Sequence, residues 1–273
     1  MKKIIKNDFY RACINWRFYG LLIIGIIITG IYTYQTMIND YPITVESKKY
    51  GKFMIGTDSW FNFWIGFDGI KLGAVWYLLI PILASLPYSD SYFIDKQTNY
   101  ISTMYSKINR FQYMLSKYIV TFVTGGIVVT LPFIINFLYL VIFLPNTLPE
   151  NQYMGPVQSE DPFAFLFYLN PIIFVIMYLL FIFTLSGLYA CISLAFSKFL
   201  PNRFIVLLSA FILYFINIIS SEALAHPEMS LFKIIQPGPN VTGINEIYLP
   251  ISVIVCFLIS LTFFIGEKKR DIY

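Results

Sequence analysis

Six stretches of the chain run almost without a polar position: Leu21–Ile38, Leu72–Tyr88, Ile119–Leu144, Ile172–Phe196, Phe204–Ile219 and Ile247–Ile265. A hydrocarbon layer about 30 Å thick is crossed by a helix of about 20 apolar residues. The pattern therefore predicts an all-α integral membrane protein with six transmembrane helices. The fifth stretch has 16 residues and would rise only about 24 Å, so its helix is expected to run on into the polar segment behind it. Pro81 and Pro132 lie inside the second and third stretches, where kinks are expected.

The segments between these stretches are patterned too. In Lys2–Arg17, Ile5, Phe9, Ala12, Cys13 and Trp16 recur at helical spacing, while Lys3, Lys6, Asn7, Arg11 and Arg17 take much of the remaining surface. A basic amphipathic helix lying along the inner leaflet is predicted, which separates residues 1–19 from a six-span body of residues 20–273. In 89–118, Ile94, Thr98, Ile101, Tyr105 and Ile108 form one helical stripe. Asp90 and Asp95 come early there and Lys107, Arg110 and Lys117 late, the order a helix dipole favours. Asn99 can supply a turn, because Asn tolerates positive φ. An apolar stripe projecting into the cytosol needs lipid headgroups or a partner protein to cover it.

In 221–248, Leu224, Leu231, Phe232, Ile234 and Ile235 are too apolar for a free loop, and Pro237-Gly238-Pro239 must break any helix. Two re-entrant half-helices dipping into the outer leaflet are expected. The loop 39–69 carries Phe53, Trp60, Phe61, Phe63, Trp64 and Phe67. This clustering reads first as an interfacial aromatic belt and, more sharply, as a lid contacting an amphipathic substrate.

Composition supports the membrane reading. Charged residues make up 12% of the 273 residues and hydrophobic ones 58%, against about 25% charged in a soluble domain, and mean hydropathy is +0.68. A disordered chain, a secreted disulfide scaffold and an ordinary cytosolic enzyme are all excluded. With the N-terminus inside, the inner segments hold fourteen of the nineteen Lys and Arg but only five of the fifteen carboxylates. That asymmetry predicts cytoplasmic termini. No small-x-small cleavage site follows the first apolar stretch, so it is read as a span and not as a signal peptide. The three cysteines, Cys13, Cys191 and Cys256, are too scattered to suggest a disulfide framework or a metal quartet.

The six stretches contain no Asp, Glu, Lys, Arg or His. Ion-coupled carriers need ionisable groups at membrane depth, so a proton- or sodium-driven carrier is disfavoured. The single histidine, His226, cannot form an H-E-x-x-H pair, and Gly51-Lys52 continues into Phe53 and not into a phosphate-binding loop. Neither a catalytic nor a metal-ligating set emerges. Asn136 and Asn217 are the amides at depth; with Trp60 and Trp64 they are candidates for a substrate pathway, although interhelical hydrogen bonding is the commoner use of such amides. Asn240-Val241-Thr242 matches a glycosylation pattern too frequent to be informative.

With these elements in place, the chain resembles the membrane (permease) subunit of ABC transporters of the type-2 exporter family. The most specific local match is Ser106-x-x-x-Arg110-x-x-Tyr113-x-x-x-Lys117 leading into the third span, preceded by an acidic residue that Asp90 or Asp95 supplies. The family often has Gly where this chain has Asn99-Tyr100. The resemblance implies a coupling helix between spans 2 and 3 that docks on an ATP-binding subunit through Ile94, Asn99, Tyr100, Ile101 and Tyr105. Asp90 and Asp95 belong to the same element, and Arg110 and Lys117 would fix it against phosphates or the N-terminal helix. It also implies ATP and Mg in a separate partner chain, no cofactor or catalysis in this one, a second permease copy or a related permease, contact with membrane lipids and no nucleic acid. The expected role is movement of a hydrophobic or amphipathic substrate, weakly a peptide, out of the cell or towards the outer leaflet, and the Ile-, Lys-, Asn- and Tyr-rich composition points to a bacterial cell membrane. Two other readings are a peptide-binding immunity protein that does not transport, and a membrane-bound processing enzyme using His226.

Overall fold

The structure, a computed structural model, describes residues 1–40, 59–67, 72–146, 149, 156–159, 161–238 and 244–265. The described residues form eleven α-helices: α1 (Lys2–Ile14), α2 (Trp16–Gln35), α3 (Leu72–Ser85), α4 (Ser91–Gln97), α5 (Tyr100–Tyr105), α6 (Arg110–Phe143), α7 (Ala164–Leu169), α8 (Pro171–Phe196), α9 (Arg203–Ala223), α10 (Leu231–Ile234) and α11 (Tyr248–Leu261). A π-turn extends α2 over Thr36–Asp40, and a 3-10 turn extends α11 over Thr262–Phe264.

The helices pack as one all-α bundle around α8, which contacts α3, α6, α9 and α11. Small residues allow this closeness, as is usual where helices meet in lipid. A Cβ added to Gly125 on α6 would come within 2.6 Å of the Ala190 Cβ on α8 and 2.8 Å of the Ala84 carbonyl on α3. Gly187 on α8 is equally tight against Phe122. Outer faces are apolar as well: Ile23, Ile27 and Ile31 on α2 and Ile212, Phe215 and Ile219 on α9 are all exposed. A helix apolar all round belongs in a core or a membrane. The protein is thus an all-α protein with several long apolar helices, consistent with membrane association.

Among the described residues four helices are long and apolar enough to cross a membrane: Trp16–Ile38, Arg110–Phe143, Pro171–Phe196 and Arg203–Ala223. The six-span expectation is corrected accordingly. The second stretch ends early, because the chain turns after Ser85 and is no longer helical over Leu86–Asp90. Its 14 residues rise about 21 Å, short of the hydrocarbon thickness. In the sixth stretch, 14 residues of α-helix give way to the 3-10 turn. The fifth does extend as its length required, to Ala223.

Two further elements are corrected. The segment expected to be a coupling helix is two short helices, α4 and α5, broken at Asn99, whose φ of 54° is left-handed. Its apolar stripe does not project outward: Ile101, Met104, Tyr105 and Ile108 pack against Tyr92, Tyr113, Met114, Leu194 and Phe263 of the same chain. The expected re-entrant half-helices are also absent among the described residues. In their place are a 3-10 turn at Pro227–Met229 and the four-residue α10. The N-terminal helix α1 is present, and its Ile5, Phe9 and Ala12 pack against Tyr88 and Val120 of the bundle. Phe53, Asn240 and the basic residues Lys268, Lys269 and Arg270 lie outside the described residues.

Candidate functional site

Two clusters of ionisable groups lie at one end of the bundle, where α1, the turn before α4, α4 itself and the starts of α6 and α9 meet. Asp8 lies on the buried face of α1 and Lys117 in the first turns of α6, and the Lys117 side chain has no exposed surface. The ammonium is 3.1 Å from Asp8 Oδ1 and 2.8 Å from Asp95 Oδ2, and it donates to Tyr88 Oη at 3.0 Å. The rings of Tyr88 and Tyr113 flank it at 5.0 and 5.5 Å, within cation–π range.

Each carboxylate of this cluster is held by several donors. Asp8 accepts from Tyr88 Oη at 2.9 Å and Ser116 Oγ at 2.6 Å. Asp95 accepts both terminal nitrogens of Arg11, at 2.7 and 3.3 Å, and Tyr113 Oη at 2.6 Å. Such complete pairing is what makes buried charge tolerable. Burial by itself would raise the Asp95 carboxyl, but the hydrogen bond from Arg11, the charge of Lys117 and the Tyr113 hydroxyl outweigh it and hold Asp95 below the ordinary range. The hydrogen bond to Asp95 likewise raises the Arg11 guanidinium, against the opposing effect of burial. Burial, reinforced by the charge of Asp8, pushes the Tyr88 phenol up.

A second cluster sits beside the first. Asp90 Oδ2 receives Arg17 at 2.8 Å, from the first turn of α2, and Arg203 Nε at 2.6 Å, from the start of α9. Asn15, which caps α2 by accepting the Arg17 amide, also donates to the Pro87 carbonyl at 3.2 Å. Three carboxylates and four cations thereby fasten α1, α2, α4, α6 and α9 together at a single end.

Of the residues considered for partner docking, Asp90, Asp95 and Lys117 are buried in these clusters. Lys117 bridges Asp8 of the N-terminal helix and Asp95 of α4. Ile94, Tyr100, Ile101 and Tyr105 are half-buried, and Asn99 and Arg110 are exposed. Arg110 rests on the Tyr105 ring at 5.3 Å, and Arg11 lies 5.2 Å over that of Tyr100.

The candidate pathway residues lie toward the other end. Trp60 and Trp64 are fully buried among Phe61, Phe133, Phe137 and Phe167. Trp64 Nε1 donates to the Phe133 carbonyl at 3.2 Å, and Trp60 Nε1 to Asn146 Oδ1 at 3.1 Å. Asn136 is buried as well. Its Oδ1 accepts from the Ile65 amide at 3.1 Å and its Nδ2 donates to Thr33 Oγ1 at 2.7 Å, so it ties the aromatic segment and α2 to α6. Asn217 accepts from the Leu231 amide at 2.8 Å, anchoring the start of α10. His226 is exposed, with Nδ1 2.8 Å from Glu228 Oε1. Among the described residues no group of three His, Cys, Asp or Glu could hold a metal ion.

Asp8, Tyr88, Ser116 and Arg203 belong to the charged clusters and did not stand out in the sequence, whereas Arg11, Arg17 and Tyr113 were noticed there for other reasons. One signal was available. Lys117 interrupts the stripe Tyr113–Val120–Thr124, which is otherwise uncharged, and Asp8 lies beside Ile5, Phe9 and Ala12 on the buried side of α1. A lone charge of each sign on two apolar faces invites pairing between them.

Comparison with protein-family models, curated proteins and solved structures finds no match to this chain.

Proposed function

We propose that the protein is the permease subunit of an ATP-driven ABC exporter, moving a hydrophobic or amphipathic substrate and drawing its energy from a separate ATP-binding chain. The observation that carries this reading is the segregation of charge. In the long helices Arg17, Arg110, Lys117, Arg203 and Glu222 all lie near an end, so among the described residues the middle of the bundle offers no charged side chain to pick up or release a coupling ion. Energy for vectorial work must then enter from outside the chain. The strong basic bias of the clustered end favours its placement on the cytoplasmic side of a multi-pass, bacterial membrane protein.

In this reading the ATPase meets the exposed surface around Asn99, Ser102 and Thr103, next to the half-buried Tyr100 and Ile101. A second permease copy or a related chain completes the transporter. The test is purification of the full chain from its own membranes. A stoichiometric nucleotide-binding subunit should accompany it, and vesicles containing both should move substrate only with ATP. Ser102→Arg with Thr103→Arg, on an exposed surface, should remove the subunit without reducing insertion. Transport by the chain alone, without ATP, would sink the proposal.

A further inference from the structure

Three helices leave a concave groove open to the surface between them. It has a volume of about 300 Å³ and is walled by Tyr118, Ile119 and Phe122 of α6, Thr184 of α8, and Val253 and Phe257 of α11. The two hydroxyl-bearing residues in its wall spend those hydroxyls elsewhere. Tyr118 Oη pairs with Ser260 Oγ at 2.7 Å, and Thr184 Oγ1 donates to the Leu180 carbonyl at 2.8 Å. The groove therefore shows hydrocarbon to whatever enters it.

Its depth is set by the helix rise. Tyr118 and Phe122 stand about 12 and 18 Å along α6 from Arg110, which places the groove in the leaflet at the charged end, below mid-depth. On that side the rings of Phe111, Phe264 and Tyr118 form a continuous wall, Phe264 lying 5.9 Å from Phe111 and 5.4 Å from Tyr118. Arg110 adjoins Phe111. It is exposed, leans on the Tyr105 ring, and has no carboxylate partner among the described residues; Lys107, also exposed, has none either.

We propose that this groove is a lipid site that takes one acyl chain of a glycerophospholipid, with the lipid phosphate at Arg110. An apolar slot at acyl depth, with a guanidinium at headgroup level on the same helix that has no carboxylate partner among the described residues, matches the two parts of that molecule. A guanidinium is well suited to hold a phosphate through paired N–H bonds. A peptide would leave its backbone N–H and C=O groups unpaired against these walls, a costly outcome in lipid.

The experiment uses the full chain in nanodiscs with a phospholipid bearing a diazirine midway along one acyl chain. After irradiation, adducts should concentrate on peptides containing Phe122, Thr184 and Val253. Thr184→Phe, which fills the groove, should cut them about tenfold, equivalent to a tenfold loss of affinity. Val253→Phe provides a second filling variant should the first not fold, and Ile216→Trp on the outer face of α9 should change nothing. Arg110→Gln should lower labelling by the phospholipid but not by a diazirine free fatty acid, which separates the two sources of an acyl chain. Labelling of the outer faces of α2 and α9 as heavy as that of the groove, or unchanged in both filling variants, would overturn the site. Insensitivity of the phospholipid to Arg110→Gln would overturn the phosphate assignment.

Discussion

The ammonium of Lys117 and the carboxylate of Asp95 lie 2.8 Å apart with 0% and 1% of their side chains exposed. Two charges so withdrawn from water are costly to bring together, and what they gain is geometry: α4 cannot shift along α6 without separating them. Asp8 on α1 shares the same ammonium, so three elements are fixed by one atom.

The first prediction concerns that atom. Lys117→Met keeps length and apolar bulk but leaves Asp8 and Asp95 buried with the ammonium gone. Breaking one partner of a buried pair costs about 3–5 kcal/mol, and the detergent-solubilised protein should show a clearly lower unfolding temperature. Adding Asp8→Asn should recover part of the loss, because one orphaned carboxylate is removed. Additive losses in the double variant would show that the two groups do not interact.

Acid should break the Asp95–Arg11 pair of this cluster, and mild alkali should not. Asp95 is held below its ordinary value, so the stability it contributes is present above the unfolded carboxylate value of about 3.9 and is lost as pH falls through its lower folded value. Arg11 is raised, so its contribution is complete below its unfolded value and vanishes only above the folded one, beyond any working pH. Hydrogen exchange of α1 should therefore stay constant from about pH 5 to pH 9 once corrected for intrinsic rate, with protection lost only in strong acid. A loss of protection centred near neutrality would contradict this assignment.

The sequence revealed some of this arrangement and hid the rest for identifiable reasons. Asn99 was readable as a turn because few other side chains tolerate its φ of 54°. The long apolar helices were readable because length and composition suffice for them. The burial of Trp60 and Trp64 was not, since an aromatic cluster in a loop looks the same whether it meets lipid or folds inward. What decides between them is Asn136, which supplies the acceptor for the Ile65 amide, a partner remote in sequence. The stripe from Ile94 to Ile108 was real as a pattern, yet its covering surface is the chain's own Tyr92, Tyr113 and Phe263. Periodicity shows that a face is apolar and does not name what buries it. The six-span expectation failed for a similar reason: hydropathy runs through the turn after Ser85, while backbone geometry does not.

Two glycines in the long helices should respond oppositely to a methyl group, because one is enclosed and the other is open. A Cβ at Gly125 meets the Ala84 carbonyl oxygen at 2.8 Å and the Ala190 Cβ at 2.6 Å, and neither can swing aside as a flexible side-chain end could. Gly125→Ala should therefore force α3 or α8 away from α6, an overpacking cost of about 1–3 kcal/mol. At Gly30 on α2 nothing lies within 4 Å of the added atom. Gly30→Ala there removes only the poor helix propensity of glycine, a gain of up to about 1 kcal/mol. Thermal unfolding of the two variants in the same detergent should move in opposite directions. If Gly125→Ala proved neutral, the close approach of α3, α6 and α8 would have to be abandoned, and with it the packing that sets the central helix in place.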